Sequence, residues 1–110
     1  MCGVIGIYSK DKRDISKIMY YGLYALQHRG QESAGIAVNN NGYIDYYKDL
    51  GLVHEVFDKE RLNRLKGNIG IGHVRYGTVN DTTSINAEPL VVGYKQGALA
   101  LAYDGSFKVI

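Results

Sequence analysis

Residues 68–74 read Asn-Ile-Gly-Ile-Gly-His-Val, and this run narrows the possible folds more than any other in the 110-residue chain. Successive side chains of a strand alternate between its two faces. Ile69 and Ile71 therefore share one face, and Gly70 and Gly72 share the other. Glycine on a strand face lets another backbone or a ligand come close. A fold built around this run has to use that open face.

The rest of the chain supplies elements of both periods. Val4 to Tyr8 is a short apolar run, read as a buried strand. Ser9 to Asp14 is a polar turn. Ile15, Ile18, Met19, Gly22, Ala25 and Leu26 then recur at helical spacing, with Asp14 as the expected N-cap. Gly22 inside that helix costs about 1 kcal/mol against Ala, which close approach to another element would explain. Gln27 to Gly35 is polar and glycine-flanked, and reads as a loop. Ile36 to Val38 and Tyr43 to Tyr47 are strand candidates joined through Asn39-Asn40-Asn41-Gly42, where Asn-Gly is a hairpin signal. Val53, Val56 and Phe57 suggest a helical turn. Asp58 is placed to cap a second helix carrying Leu62 and Leu65, ended near Gly67. Gly77 to Glu88 is a polar loop, and Leu90 to Tyr94 with Ala98 to Tyr103 form a last hairpin turned at Lys95-Gln96-Gly97. Antiparallel hairpins beside helices point to the α+β class. The ten Tyr, two Phe and absent Trp suit half-buried strand faces.

Charge and cysteine usage exclude several classes. Thirteen Lys and Arg against eleven Asp and Glu, without a run of one sign, indicate neither a nucleic-acid nor a membrane partner. No stretch is long and apolar enough to span a bilayer, and the start lacks the basic region of a signal peptide. One cysteine permits no internal disulfide and fits a reducing cytoplasm.

Four places hold residues suited to chemistry. Removal of Met1 would make Cys2 the N-terminus. Its thiol and an α-amine of ordinary pKa about 7.7–8.0 would then supply nucleophile and base on one residue. The competing reading is a small apolar residue opening a strand. Arg75 follows the glycine-spaced strand, where it can clamp a carboxylate through two hydrogen bonds or form a surface ion pair. His73 is read as a packed strand residue without a catalytic role. Gln27 to Gly35 is either a loop ordered near a site or an exposed one. Tyr103-Asp104-Gly105-Ser106 is either an ordinary Asp-Gly turn or a turn aiming a backbone N–H at a reacting carbonyl oxygen. His28 and a distant lone Cys make no metal set.

Taken in order, these segments resemble the amidophosphoribosyltransferases, glutamine amidotransferases of the N-terminal-nucleophile class. The resemblance is carried by CGVIGI from Cys2, QHRGQESAGI from Gln27, GHVRY from Gly72 and NAEPL from Asn86. QHRGQESAGI is particular to this branch and not to the sister enzymes that make glucosamine 6-phosphate, asparagine or glutamate. The resemblance implies part of an αββα four-layer sandwich. It implies attack of the Cys2 thiolate on the side-chain amide of glutamine, giving a thioester and ammonia, with glutamate released by water. In a complete enzyme ammonia displaces pyrophosphate from phosphoribosyl pyrophosphate to give phosphoribosylamine for purine synthesis. By position, Arg75 would bind the glutamine α-carboxylate, with Tyr76 and Thr78 shaping the same pocket. Arg29 would order the surroundings of Cys2, and Asp104 and Gly105 would occupy the oxyanion position.

The resemblance also has departures. RYSTTG of the family is Arg75-Tyr76-Gly77-Thr78-Val79-Asn80 here, so Gly77 lacks a hydroxyl. HNGN is Tyr103-Asp104-Gly105-Ser106, so a carboxylate stands where an amide donates. An ionised carboxylate donates no hydrogen bond, and loss of one such donor costs about 2.7–4 kcal/mol elsewhere. The acidic residue for the substrate amino group would lie beyond Ile110. Residues 1–110 thus read as a partial glutaminase domain, with the phosphoribosyltransferase domain and its Mg2+ absent and no cofactor in this segment. A lone cysteine holds no iron–sulfur cluster, and Cys2 after Met1 leaves no room for a propeptide. Two alternatives accompany this reading. One is a non-catalytic piece of the fold that binds a partner. The other is self-association through an uncovered inner sheet. For the full-length enzyme a homo-oligomer is expected.

Overall fold

The computed structural model describes residues 2–27, 31–76 and 87–104. In chain order the elements are β1 (Cys2–Tyr8), α1 (Ser16–Leu26), β2 (Gln31–Asn40), β3 (Tyr43–Leu50), α2 (Val53–Val56), α3 (Lys59–Arg64), β4 (Ile69–Tyr76), β5 (Leu90–Tyr94) and β6 (Gly97–Leu101). Strands β1, β4, β2 and β3 form an antiparallel sheet in that spatial order, and β5 pairs β6 in a separate hairpin. This is the expected α+β class.

The glycines of β4 decide how the first layer assembles. A Cβ on Gly72 would lie 2.8 Å from Met19 Sδ, and one on Gly70 would lie 3.0 Å from Ile15 Cδ1. The open face of the strand is therefore the seat of α1. Gly22 meets the sheet from the helix side, where a Cβ would come within 2.4 Å of Ile5 Cδ1. Ile15, Met19 and Leu23 pack there with Ala34, Ile36, Val38 and Val74. Val53, Val56, Phe57, Leu62 and Leu65 close the same core from α2 and α3.

The helix departs from its expected apolar face. Ile18 is 59 % exposed, and Ala25 is exposed as well. A helix advances about 100° per residue, so seating Met19 over Gly72 turns Ile18 outward. Its buried stripe instead runs Ile15, Met19, Leu23, at spacing i, i+4, i+8. Asp14 is not the cap either. Ile15 holds the N-cap position without a side-chain bond, and Asp14 Oδ1 accepts from Gly67 N at 2.9 Å. The carboxylate thereby ties the start of α1 to the entry of β4. Asp58 caps α3 as expected, accepting from Arg61 N at 2.8 Å.

One loop assignment also changes. Residues 31–35 extend β2, because both edges of that segment are paired, to β3 and to β4. Their polarity reads as loop in sequence, but Ser33, Ala34 and Gly35 are buried between neighbours. Of the loop expected at Gly77 to Glu88, residues 77–86 lie outside the described residues, and Ala87 and Glu88 are irregular backbone, buried together with Pro89. The Asn41-Gly42 turn behaves as expected. Both residues adopt positive φ, and Gly42 N donates to Asn39 Oδ1 at 2.8 Å.

The face of the sheet away from α1 receives the second layer. Residues 87–89 cross it at Gly35, where a Cβ would fall 2.0 Å from Glu88 O and 2.8 Å from Pro89 Cδ. Lys48 Nζ, on β3, donates to Pro89 O at 3.1 Å. Farther along, an apolar cleft between this face and β6 is lined by Ala37, Ile71, Ala98 and Leu99. Helices, sheet and hairpin thus stack in the order expected for part of a four-layer sandwich.

Gly35→Ala is expected to destabilise the chain by about 1–3 kcal/mol, because the crossing backbone cannot yield as a side chain can. Gly93→Ala, where an added Cβ meets nothing within 4 Å, is the matched control. Urea unfolding of the two variants checks this. Equal midpoints would show that the crossing at Gly35 is not tight.

Candidate active site

The site is assembled at one end of the central strand. Cys2 opens β1 directly opposite Arg75 of β4, and Arg75 is also opposite Ser33 of β2. Directly opposed residues of an antiparallel pair project to the same face. Gly3 and Val74 meet on the α1 side, with a Gly3 Cβ only 2.8 Å from Val74 Cγ2. Cys2, Arg75 and Ser33 therefore belong to the other face, where residues 87–104 run.

Asp104 comes to this end from the exit of β6. Cys2 N donates to Asp104 Oδ1 at 2.8 Å, across 102 positions of sequence. Three of the sequence-predicted residues, Cys2, Arg75 and Asp104, are thus gathered at one sheet end. Tyr76 is placed differently. It alternates to the helix face, and its hydroxyl donates to the carbonyl of Leu26 at the end of α1. Arg29, Thr78 and Gly105 lie outside the described residues.

Beside these residues sits a buried polar pair. His73 is 0 % exposed and Glu88 3 %. His73 Nε2 lies 3.1 Å from Tyr103 O and 3.5 Å from Glu88 Oε2. A carbonyl only accepts, so Nε2 carries the proton and donates to Tyr103. Glu88 Oε1 accepts from Tyr103 N at 2.9 Å. His73 Nδ1 has no hydrogen-bond partner among the described residues.

Burial dominates the electrostatics of the pair. It pushes His73 below its ordinary value of 6.5. The contact with the Tyr103 carbonyl raises it, the charge of Arg75 lowers it further, and Asp104 raises it. Burial likewise pushes Glu88 above 4.5, against the Tyr103 N–H and the charges of Arg75 and Lys48. Lys48 is lowered by burial and raised by Glu88. Arg75 therefore sits close enough to bias both members of the pair.

The sequence pointed to the packing of His73 but not to its polar role, and Glu88 was missed as a site neighbour. The available signal was a single carboxylate set among Ala87, Pro89 and Leu90. Apolar flanks of that kind favour burial, and a buried carboxylate needs donors.

The two shifts have opposite consequences for stability. His73 is neutral-favouring in the fold, so the unfolded chain binds more protons below about pH 6.5, and stability falls on acidification. Glu88 is proton-favouring in the fold, so its contribution improves as pH falls from its raised value toward 4.5. In urea midpoints between about pH 7.5 and 4.5, His73→Gln is expected to flatten the acid-side loss and Glu88→Gln to steepen it. Parallel profiles for both variants and the unchanged chain would contradict these shifts.

Known proteins share both sequence and fold with this chain. Amidophosphoribosyltransferase of Methanocaldococcus jannaschii is 51% identical over 105 residues, covering 96% of this chain and 22% of that protein. The Methanothermobacter thermautotrophicus protein of the same name is 49% identical, covering 94% and 22%. A solved structure of glutamine phosphoribosylpyrophosphate amidotransferase from B. subtilis, complexed with ADP and GMP, superposes with TM-score 0.79 and 41% identity. It covers 93% of this chain and 21% of that one. No family model matches. The chain spans about a fifth of the length of the relatives it matches.

Proposed function

We propose, from the premise that this chain belongs with the amidophosphoribosyltransferases and matches their N-terminal glutaminase part, that Cys2 is the nucleophile of a glutamine-hydrolysing site. The observation that carries this reading is the meeting of Cys2, Arg75 and Asp104 at one sheet end, from positions 2, 75 and 104 of the chain.

The chemistry follows from the residue types. With Met1 removed, the Cys2 nitrogen becomes an α-amine beside its own thiol. The amine takes the thiol proton directly or through one water, and the thiolate attacks the δ-carbon of glutamine. A C–S bond forms, the C–N bond breaks, and nitrogen leaves as ammonia after gaining a proton. Water then cleaves the thioester, giving glutamate and restoring the thiol. Arg75 clamps the α-carboxylate of the substrate, and the roles expected of Arg29 and Thr78 fall on residues outside those described. Tyr76 acts here through the end of α1, which its hydroxyl holds.

Asp104 works against this chemistry. By the family resemblance its carboxylate stands where the oxyanion needs a donor, and an ionised carboxylate donates none. It also contacts the nitrogen that has to act as a base. An opposite charge beside an amine favours the protonated form, which cannot accept the thiol proton. These 110 residues, about a fifth of the length of the relatives, are therefore assigned little or no glutaminase activity by themselves.

In the wider enzyme, ammonia passes to a phosphoribosyltransferase part that uses phosphoribosyl pyrophosphate and makes phosphoribosylamine for purine synthesis. Magnesium belongs to that part, and no step above runs through it. Residues 1–110 form a portion of the glutaminase domain in a homo-oligomeric enzyme of the cytoplasm, where a single thiol stays reduced. No helix among the described residues is long and apolar enough to cross a membrane.

Intact-mass measurement with a thiol-reactive glutamine analogue tests the nucleophile. The expected spectrum shows loss of Met1 and one label, abolished in Cys2→Ala. Retention of Met1 would remove the base and sink the mechanism. Asp104→Asn is expected to raise glutamate release by about 10²-fold, the scale of one oxyanion donor. An unchanged rate would place the deficit away from Asp104.

A further inference from the structure

The buried pair grips both polar groups of a single peptide unit. Glu88 Oε1 takes the Tyr103 N–H at 2.9 Å, and His73 Nε2 reaches the Tyr103 carbonyl at 3.1 Å. The next residue, Asp104, is the one whose carboxylate meets Cys2 N at 2.8 Å. We infer that His73 and Glu88 are positioning residues, a two-pronged clamp on Tyr103 that sets the 103–104 turn against Cys2. This deepens the glutaminase reading by naming what holds its oxyanion segment.

Three features support a clamp over incidental packing. First, the bonded atoms lie on different elements. His73 sits on the central strand β4, Glu88 on the segment crossing Gly35, and Tyr103 just beyond β6. The clamp therefore joins the four-stranded sheet to the second layer. Second, both side chains are sunk in the interior, where a charge or polar group is costly unless bonded. Their presence there needs a purpose that an apolar pair would not serve. Third, the segment carrying Glu88 is itself fixed. Gly35 leaves room for its backbone, and Lys48 Nζ holds Pro89 O at 3.1 Å. A clamp requires an immobile jaw, and β2 and β3 provide it.

The pair also has a consistent protonation pattern. The Nε2–H tautomer of His73 donates toward Tyr103 O, with Glu88 Oε2 3.5 Å from the same nitrogen. Glu88 accepts from Tyr103 N through Oε1. Burial lowers the His73 pKa and so favours the neutral ring, and the Tyr103 carbonyl can accept only from a protonated Nε2.

The test uses amide hydrogen exchange by NMR, read at Tyr103 and at the sheet amides of β1, β2 and β4. Glu88→Leu, His73→Leu and the double variant are compared with Glu88→Gln and His73→Gln, which keep an acceptor and a donor. Expected is faster exchange at Tyr103, by about tenfold or more in the Leu variants, with sheet amides unchanged and the Gln variants restored. The double variant should be no worse than either single one, because both prongs serve one peptide. Uniform acceleration across the sheet would reduce the pair to a general structural role, and a protected Tyr103 amide in Glu88→Leu would end the proposal outright. Cys2 labelling is the second readout. Reaction with the glutamine analogue should slow about tenfold in the Leu variants, while reaction with iodoacetamide stays constant. Unchanged analogue labelling with a loosened Tyr103 would overturn the claim that the clamp serves the site. If the unchanged chain takes iodoacetamide but not the analogue, the glutaminase reading fails while the exchange result still judges the clamp.

Discussion

The close approach of helix α1 to strand β4 is the contact on which the remaining architecture depends. Gly70 and Gly72 give the helix room to lie on the sheet, with Met19 and Ile15 filling the space that side chains would occupy. Burial of Ile15, Met19 and Leu23 against Ile36, Val38 and Val74 then commits that face to the core. Each such side chain contributes about 1.5–3 kcal/mol when fully buried. Once one face is committed, strand alternation sends His73 and Arg75 to the other. The division between core and site is in this sense made by two glycines.

The second face is organised by polar contacts where the first is organised by apolar ones. The 87–89 segment crosses at Gly35, Lys48 and His73 connect it to β3 and β4, and Glu88 connects it to Tyr103. Buried polar groups of this kind hold geometry because leaving any one unpaired is costly. The result is a short path from the middle of β4 to the backbone nitrogen of Cys2. The nucleophile proposed at Cys2 would need such a path. Its own strand begins at the sheet end, and the turn that must face it arrives from the far end of the sequence.

Asp104 bears on the proposed chemistry through its contact with Cys2. The carboxylate satisfies the Cys2 N–H as an acceptor should. In the proposed mechanism the same contact would favour an ammonium where a neutral amine is required, and a carboxylate offers no donor to an oxyanion. Sequence and fold agree with the amidophosphoribosyltransferases over nearly the whole chain, so the conflict is local to this turn.

Much was legible from residue order alone. The alternation at 69–72, the Asn41-Gly42 turn, the Asp58 cap and the last hairpin are local, and local propensity and period determine them. Cys2, Arg75 and Asp104 were readable as candidates from residue type and from resemblance. The face of α1, the role of Asp14, the strand at residues 31–35 and the burial of Glu88 were decided only in three dimensions. Each depends on a partner distant in the chain: Gly72 for Met19, Gly67 for Asp14, β3 and β4 for residues 31–35, Tyr103 for Glu88. Polar residues look like loop until both edges of their backbone are paired. A carboxylate looks solvated until a donor is brought to it, and sequence carries no record of which donor that is.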